Sequence, residues 1–280
     1  MNNTETKIIK IHGKNIDNFF QNIITNDINN LNTENPIYTA MLSPQGKYLY
    51  DFFILKEENF FLLEANANKV NSLIDEIKKY DIRKDISIEL QGNFYTKVII
   101  KENLIKDYLE KINKNKVYRE ESFLFFLDPR SKNFLYRFWF YKKSNNLLNF
   151  SSDAEVEKKR ISNVIPNSEL DLIYNKSFIL NYNFENINAL SFDKGCYIGQ
   201  ENTARQKFRG TQKYSLKNIK IISGTMPNLN EDIFYKKVKV GTMKSRYNDI
   251  GLCLIRKDVT KNNAGLLQTD KNCILKIYDS

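Results

Sequence analysis

Residues 193–210 read DKGCYIGQENTARQKFRG and hold three of the chain's ten glycines, one of its three cysteines and four basic side chains. A chain so sparing with glycine and cysteine concentrates them where the backbone must turn and where a thiol has work to do. Gly195 and Gly199 let the chain turn sharply, and Gln200 to Arg209 is predicted to form a short helix that Gly210 ends as its C′ residue. Within that helix Glu201 and Arg205 stand four apart, in the favourable acid-first order. Cys196 then lies just ahead of a helix N-terminus and beside Lys194, where partial positive charge favours the thiolate. On these residues alone the blander alternative is the favoured one: a small buried hydrophobe beside a structural glycine turn.

Outward from this segment, the chain divides by its periodicities. Lys7–His12 alternates like a strand, and Asn15–Asn22 is predicted to be a short helix with Phe19, Phe20 and Ile23 turned inward. Strands are predicted between Tyr38 and Leu63, broken by a tight reversal at Ser43-Pro44-Gln45-Gly46. Asn66 is predicted to cap a helix running through Tyr80, with Val70, Leu73, Ile74 and Ile77 on one face. The middle repeats this grammar: strands at Phe94–Ile100, Phe123–Leu127 and Phe134–Phe140, a helix at Leu104–Ile112, and a Ser152/Glu155 capping box for a helix toward Asn163. Pro166–Asn188 reads as irregular. Short β-rich runs at Tyr214–Ile222, Val238–Lys244, Leu252–Ile255 and Cys273–Tyr278 suit a small all-β closing domain. The class is therefore α+β followed by all-β, in three spans: 1–92, 93–211 and 212–280.

Bulk properties exclude several functions. No apolar run approaches the roughly 18 residues that span a bilayer, and MNNTETKIIK lacks the features of a secretory signal, so a cytoplasmic chain is expected. The formal charge of +10 invites a nucleic-acid reading. Its lysines, however, are spread from end to end among abundant Asn and Ile, and no recognition-helix signature accompanies them. RNA is thus a less favoured partner. Cys196, Cys253 and Cys273 cannot all pair, none forms a C-x-x-C, and His12 is the single histidine. No zinc-ligand spacing follows, and no resident metal is predicted.

Lys194–Glu201, KGCYIGQE, matches the K-G-C-[YF]-x-G-Q-E signature of the YgfZ family of folate-binding proteins, related to the aminomethyltransferase of the glycine cleavage system. Ala204, Arg205, Lys207, Phe208, Arg209 and Gly210 continue the likeness. Phe20–Leu31, FQNIITNDINNL, resembles the family's early helix followed by Thr-Asn-Asp. Met41–Phe53 resembles its L-x-x-Q-G-R-x-L-x-D strand turn, with Lys47 where arginine is usual. The resemblance implies two ferredoxin-like α+β parts and a C-terminal antiparallel β-barrel around a central cavity holding tetrahydrofolate or a one-carbon derivative. It also implies a role in assembling or repairing iron–sulfur clusters, in partnership with client enzymes or assembly factors, including enzymes that modify tRNA. Cys196 is then the working thiol, and Lys194, Gly195, Tyr197, Gly199, Gln200, Glu201, Arg205 and Arg209 complete the motif.

A folate site needs a slot for the pterin, hydrogen-bonding groups for its edge and basic residues for its tail. Candidates for the edge are Asn26, Asp27 and Asp51, with Tyr48 as a stacking wall. Asn26 and Asp27 serve equally well as turn residues. Lys194 and Arg209 are candidates for the anionic tail or an acidic partner surface, while Glu201 and Arg205 fix the motif helix. Two rival functions stand beside this one: a folate-dependent aminomethyltransferase or methyltransferase, and an RNA-binding accessory factor. Whether the chain is an enzyme is left open by the sequence.

Overall fold

In the computed structural model, which describes residues 5–92, 94–100, 108, 110, 116–131, 134–141, 151–261, 266–269 and 273–278, the alternating stretch near the N-terminus becomes β1 (Thr6–Gly13). It lies inside a five-stranded sheet ordered β2-β3-β4-β1-β5, with β2 Ile37–Leu42, β3 Tyr48–Lys56, β4 Phe61–Asn66 and β5 Ile86–Gln91. β1 runs antiparallel to β4 and β5, and β3 runs antiparallel to β4. Two helices, α1 (Ile16–Ile23) and α2 (Val70–Tyr80), bury Phe20, Ile23, Leu73 and Ile77 in one core with Ile9, Ile11, Phe52, Ile54 and Leu63. The spacing of 70, 73 and 77 is what turns one stripe of α2 to that core.

A second sheet, ordered β6-β9-β8-β7, is antiparallel throughout: β6 Tyr95–Ile100, β7 Val117–Arg119, β8 Phe123–Leu127 and β9 Leu135–Phe140. Its core is aromatic, with Phe125 stacked on Phe138 at 4.5 Å and Tyr95 on Phe140 at 4.6 Å. The helix expected at Leu104–Ile112 lies outside the described residues, apart from Tyr108 and Glu110.

Both sheets belong to one compact unit, comprising Met1–Leu42, Leu49–Asp153 and Ile187–Ile198. A buried ionic network joins them. Glu64 of β4 accepts from Arg137 of β9 through both carboxylate oxygens and from the Trp139 indole at 2.6 Å. Arg137 also reaches Asp128 at 3.2 Å, and Asp128 takes a bidentate pair from Arg130 at 2.8 and 3.0 Å. Burying these charges is tolerable because each is paired and hydrogen-bonded.

The second unit comprises Ser43–Tyr48, Ala154–Asn186 and Gly199–Ser280. Its strands close a barrel in the order β10-β13-β12-β11-β14-β15: β10 Tyr214–Ser223, β11 Asp232–Tyr235, β12 Val238–Tyr247, β13 Ile250–Arg256, β14 Leu267–Gln268 and β15 Ile274–Ile277. Ile219, Ile233, Met243, Cys253, Ile255, Cys273 and Leu275 fill it. The fold is α+β with a closed antiparallel barrel at its C-terminal end, as expected. Outside the barrel this unit carries α3 (Asp153–Ser162, of which Asp153 belongs to the first unit), a 3-10 turn at Ile179–Tyr182, α4 (Gln200–Phe208) and α5 (Lys257–Lys261). Asp171 of the irregular stretch is fully buried and accepts from Ser245 N at 2.6 Å, which fastens that stretch to β12.

One expectation needs correction, and the sequence reading also passed over β5, β7, β11 and β14. Asn66 is not the cap of α2: the cap position is Lys69, and Asn66 instead shapes the preceding turn by accepting from Asn68 N through its side chain and Lys69 N through its carbonyl. β5 went unread although ISIELQ alternates cleanly, with Ile86, Ile88 and Leu90 on one face and Ser87, Glu89 and Gln91 on the other. β11 and β14, four and two residues long, carry too little alternation to be read as strands.

Candidate functional site

The turn after α1 is built from its own side chains. Thr25 Oγ1 donates to the Ala189 carbonyl at 2.7 Å and accepts from Ala40 N at 3.0 Å. Asn26 donates both amide protons, to Tyr38 O at 2.9 Å and Asn188 O at 2.8 Å, while its Oδ1 accepts from Asp27 N. Asp27 Oδ1 accepts from Asn29 N at 3.0 Å and Gln21 Nε2 at 2.9 Å. Of the two readings open for Asn26 and Asp27, the geometry matches the turn-forming one.

The signature segment docks against this turn. The Lys194 ammonium donates to three carbonyls, Gln21 O and Ile24 O at 2.7 Å and Asn26 O at 2.8 Å, and lies 4.9 Å from the Tyr197 ring centroid. Burial pulls its pKa down to about 8, with the Asp27 carboxylate opposing. This corrects the expectation that Lys194 meets a ligand's anionic tail or a partner, since its donors are spent on the backbone. Four residues on, Ile198 N donates to Asn22 O at 3.0 Å, and the Ile198 side chain packs on the first unit's core. Between these two pins Tyr197 points inward and is 8% exposed, whereas Gly195 and Cys196 face solvent.

Gly199 adopts φ 81°, the left-handed conformation at the N-cap of α4, and Gln200 opens the helix. Gly195 does not share that role: its backbone is not left-handed, and nothing lies within 4 Å of a Cβ placed there. The helix runs as predicted, with Glu201 and Arg205 paired at 3.0 Å on its exposed side, Arg209 at the C-cap and Gly210 following at φ 62°. In the second unit the Ser43–Gly46 reversal packs on the start of α4. Gly46 N donates to Ser43 O at 2.8 Å with φ 75°, and Asn202 Nδ2 donates to Gln45 O at 2.6 Å. Arg209 is exposed.

Asp51 on β3 is half-buried and accepts from the Tyr38 hydroxyl at 2.5 Å. The Tyr38 ring lies 4.8 Å from Phe53, and the Arg130 guanidinium stands over both rings at 5.0 and 4.8 Å. Burial lifts the Tyr38 phenol well above its ordinary pKa and the Asp51 carboxylate adds to this, so the phenol keeps its proton and donates. Tyr48, expected as a stacking wall, is fully buried in the second unit with its edge toward Phe184 at 6.4 Å; it is a packing residue. The aromatic ring beside Asp51 is Tyr38, which sequence reading missed.

No family model matches the chain. The chain is 26% identical to a protein of Neurospora crassa named iron-sulfur cluster assembly factor IBA57 homolog, mitochondrial, over 82% of this chain and 55% of that one. It is 24% identical to the tRNA-modifying protein YgfZ of Blochmanniella pennsylvanica, over 92% and 82%. This chain is a homologue of the YgfZ and IBA57 proteins. Mouse iron-sulfur cluster assembly factor IBA57 is 24% identical over 80% of the chain and 66% of its own length. The chain thus spans most of the YgfZ relative but about half of the fungal IBA57 homologue. Among solved structures, the glycine cleavage system aminomethyltransferase T from Bartonella henselae superposes with a TM-score of 0.70 at 10% identity, covering 98% of this chain and 83% of that one. That likeness is one of fold. No helix among the described residues is long and apolar enough to cross a membrane.

Proposed function

We propose that this chain is a cytoplasmic, folate-binding accessory protein for iron–sulfur cluster assembly or repair, presenting the Cys196 thiol to client proteins, tRNA-modifying enzymes among them. The observation that carries the reading is the contrast among its thiols. Cys196 is exposed in the signature segment, while Cys253 and Cys273 are enclosed in the barrel. An accessible thiolate is a soft ligand suited to iron or sulfur species, whereas a sealed thiol is inert. The names of the IBA57 and YgfZ relatives support the assignment to cluster assembly and to tRNA modification.

Tetrahydrofolate, or a one-carbon derivative, belongs in this proposal at Asp51. The donor set fits a reduced pterin: a half-buried carboxylate to accept from a ring N–H, beside the Tyr38 and Phe53 rings and the Arg130 guanidinium. When bound, the folate supplies a ring nitrogen able to hold a one-carbon unit. Asp51 orients the ring edge, and Tyr38 holds the carboxylate by donating its phenolic proton.

The test pairs a binding measurement with a cellular one. Calorimetric titration with tetrahydrofolate is expected to show saturable binding that Asp51→Asn weakens fivefold or more. Cys196→Ser is expected to leave that binding intact yet fail to restore iron–sulfur enzyme activity in cells lacking the chain. Full restoration by Cys196→Ser overturns the thiol's role. Turnover of an aminomethyl or methyl donor with tetrahydrofolate overturns the accessory reading in favour of a transferase.

A further inference from the structure

We propose that Lys194 is the positioning residue of this site: its ammonium plugs a cradle of three backbone carbonyls at the C-terminal end of α1, and that plug holds the Cys196 loop in place. The inference rests on the reading of Cys196 as the working thiol and adds to it the device that presents it.

A helix leaves its last four carbonyls without intrahelical partners, at the negative end of its dipole. In α1, Phe20 O is taken by Ile24 N, Asn22 O by Ile198 N, and Gln21 O by Lys194 Nζ. The signature loop therefore supplies two of the caps of a helix some 170 residues earlier. Lys194 adds the carbonyls of Ile24 and Asn26, so that three acceptors converge on one nitrogen at 2.7, 2.7 and 2.8 Å. At neutral pH, below its pKa of about 8, the amine has one N–H for each. Arginine's planar fork does not match three acceptors converging on a point, whereas a compact ammonium does. Cys196 lies midway between the two pins at Lys194 and Ile198, with Tyr197 turned inward. Releasing the first pin frees the half of the loop that carries the thiol.

The geometry has a chemical signature. Removing the lysine side chain leaves a hollow lined by three carbonyls, which ammonium or potassium can enter because carbonyl oxygens replace their hydration. Tetramethylammonium has no N–H and is too large. In Lys194→Ala, amide exchange at Ile198, whose N–H is held by Asn22 O, is expected to accelerate more than tenfold, and the Cys196 alkylation rate with iodoacetamide to change at least threefold. Ammonium chloride at 0.1 M is expected to bring both back toward wild type, and tetramethylammonium chloride at the same strength to leave them altered. Lys194→Arg is expected to behave as Lys194→Ala does without added cation. Lys194→Met, which keeps an apolar stem and loses the charge together with the three N–H donors, serves if the alanine variant does not fold: it should show the same acceleration while still unfolding in one cooperative thermal transition. Exchange and alkylation unchanged in Lys194→Met, or restoration by tetramethylammonium as complete as by ammonium, overturns the proposal. Because these readouts use no client enzyme, their failure is separable from a failure of Cys196→Ser to matter in cells.

Discussion

Cys196, Cys253 and Cys273 share a side chain and differ only in surroundings, which decides what each can do. Burial pushes the Cys253 and Cys273 thiols up from their ordinary pKa, and both lie in the barrel core. N-ethylmaleimide is accordingly expected to label one thiol per native chain quickly and all three only after denaturation; fast labelling of two would mean the barrel is open. Tyr38→Phe removes the donor to Asp51 and should cost about 1 kcal/mol of stability, measured by urea unfolding, together with several-fold in tetrahydrofolate affinity. The thiol's place was legible from the signature. The tyrosine's was legible in principle, because residues about equally far from the Ser43–Gly46 reversal face each other across the hairpin. Lys194's partners were hidden, since they are backbone carbonyls, and no residue type announces a carbonyl.

Elements with strong local punctuation were read correctly. α4 begins after Gly199 and ends before Gly210, and both glycines have the left-handed φ that glycine adopts cheaply. Gly46 carries a further constraint: a Cβ there would sit 2.9 Å from both Gly199 O and the Asn202 Cβ, at φ +75°. Gly46→Ala is therefore expected to destabilise the chain by roughly 1–3 kcal/mol and to lower the thermal midpoint, whereas Gly195→Ala, with open space around it, should leave the midpoint unchanged. Elements lacking such signals were lost. Asn66 resembles a cap in sequence, but a residue three positions early serves a turn just as well, and only the backbone decides between them.

At the scale of the whole chain, the α+β order and the all-β closing part followed from the alternation of apolar runs and the barrel from the family resemblance, but the ionic network between the two sheets of the first unit followed from neither. Glu64, Asp128, Arg130 and Arg137 look like ordinary surface charges in sequence; pairing across strands far apart is what lets them be buried. Arg137→Met strands Glu64 in the interior and should cost about 3–5 kcal/mol, while the double variant Glu64→Gln/Arg137→Met should recover part of that in chemical denaturation. Burial opposes ionisation of Asp128, yet Arg130 and Arg137 outweigh it and hold the carboxyl below the usual range. Its folded pKa is thus below its unfolded one, so its contribution is present above about pH 4 and is lost as acid titrates it. Asp128→Asn should flatten the fall in stability below that pH.

The closed barrel has one more consequence. A sheet that ends in an open strand offers its unpaired amides and carbonyls to any extended peptide, and many proteins are recruited in that way. In this half of the chain β10 is paired on both sides, with β13 and β15, and the ring completes through β11 and β14. Among the described residues the barrel leaves no open strand to extend, so a client that approached it would have to read side chains and hairpin tips, and its selectivity there would be written in residue types, not in backbone geometry.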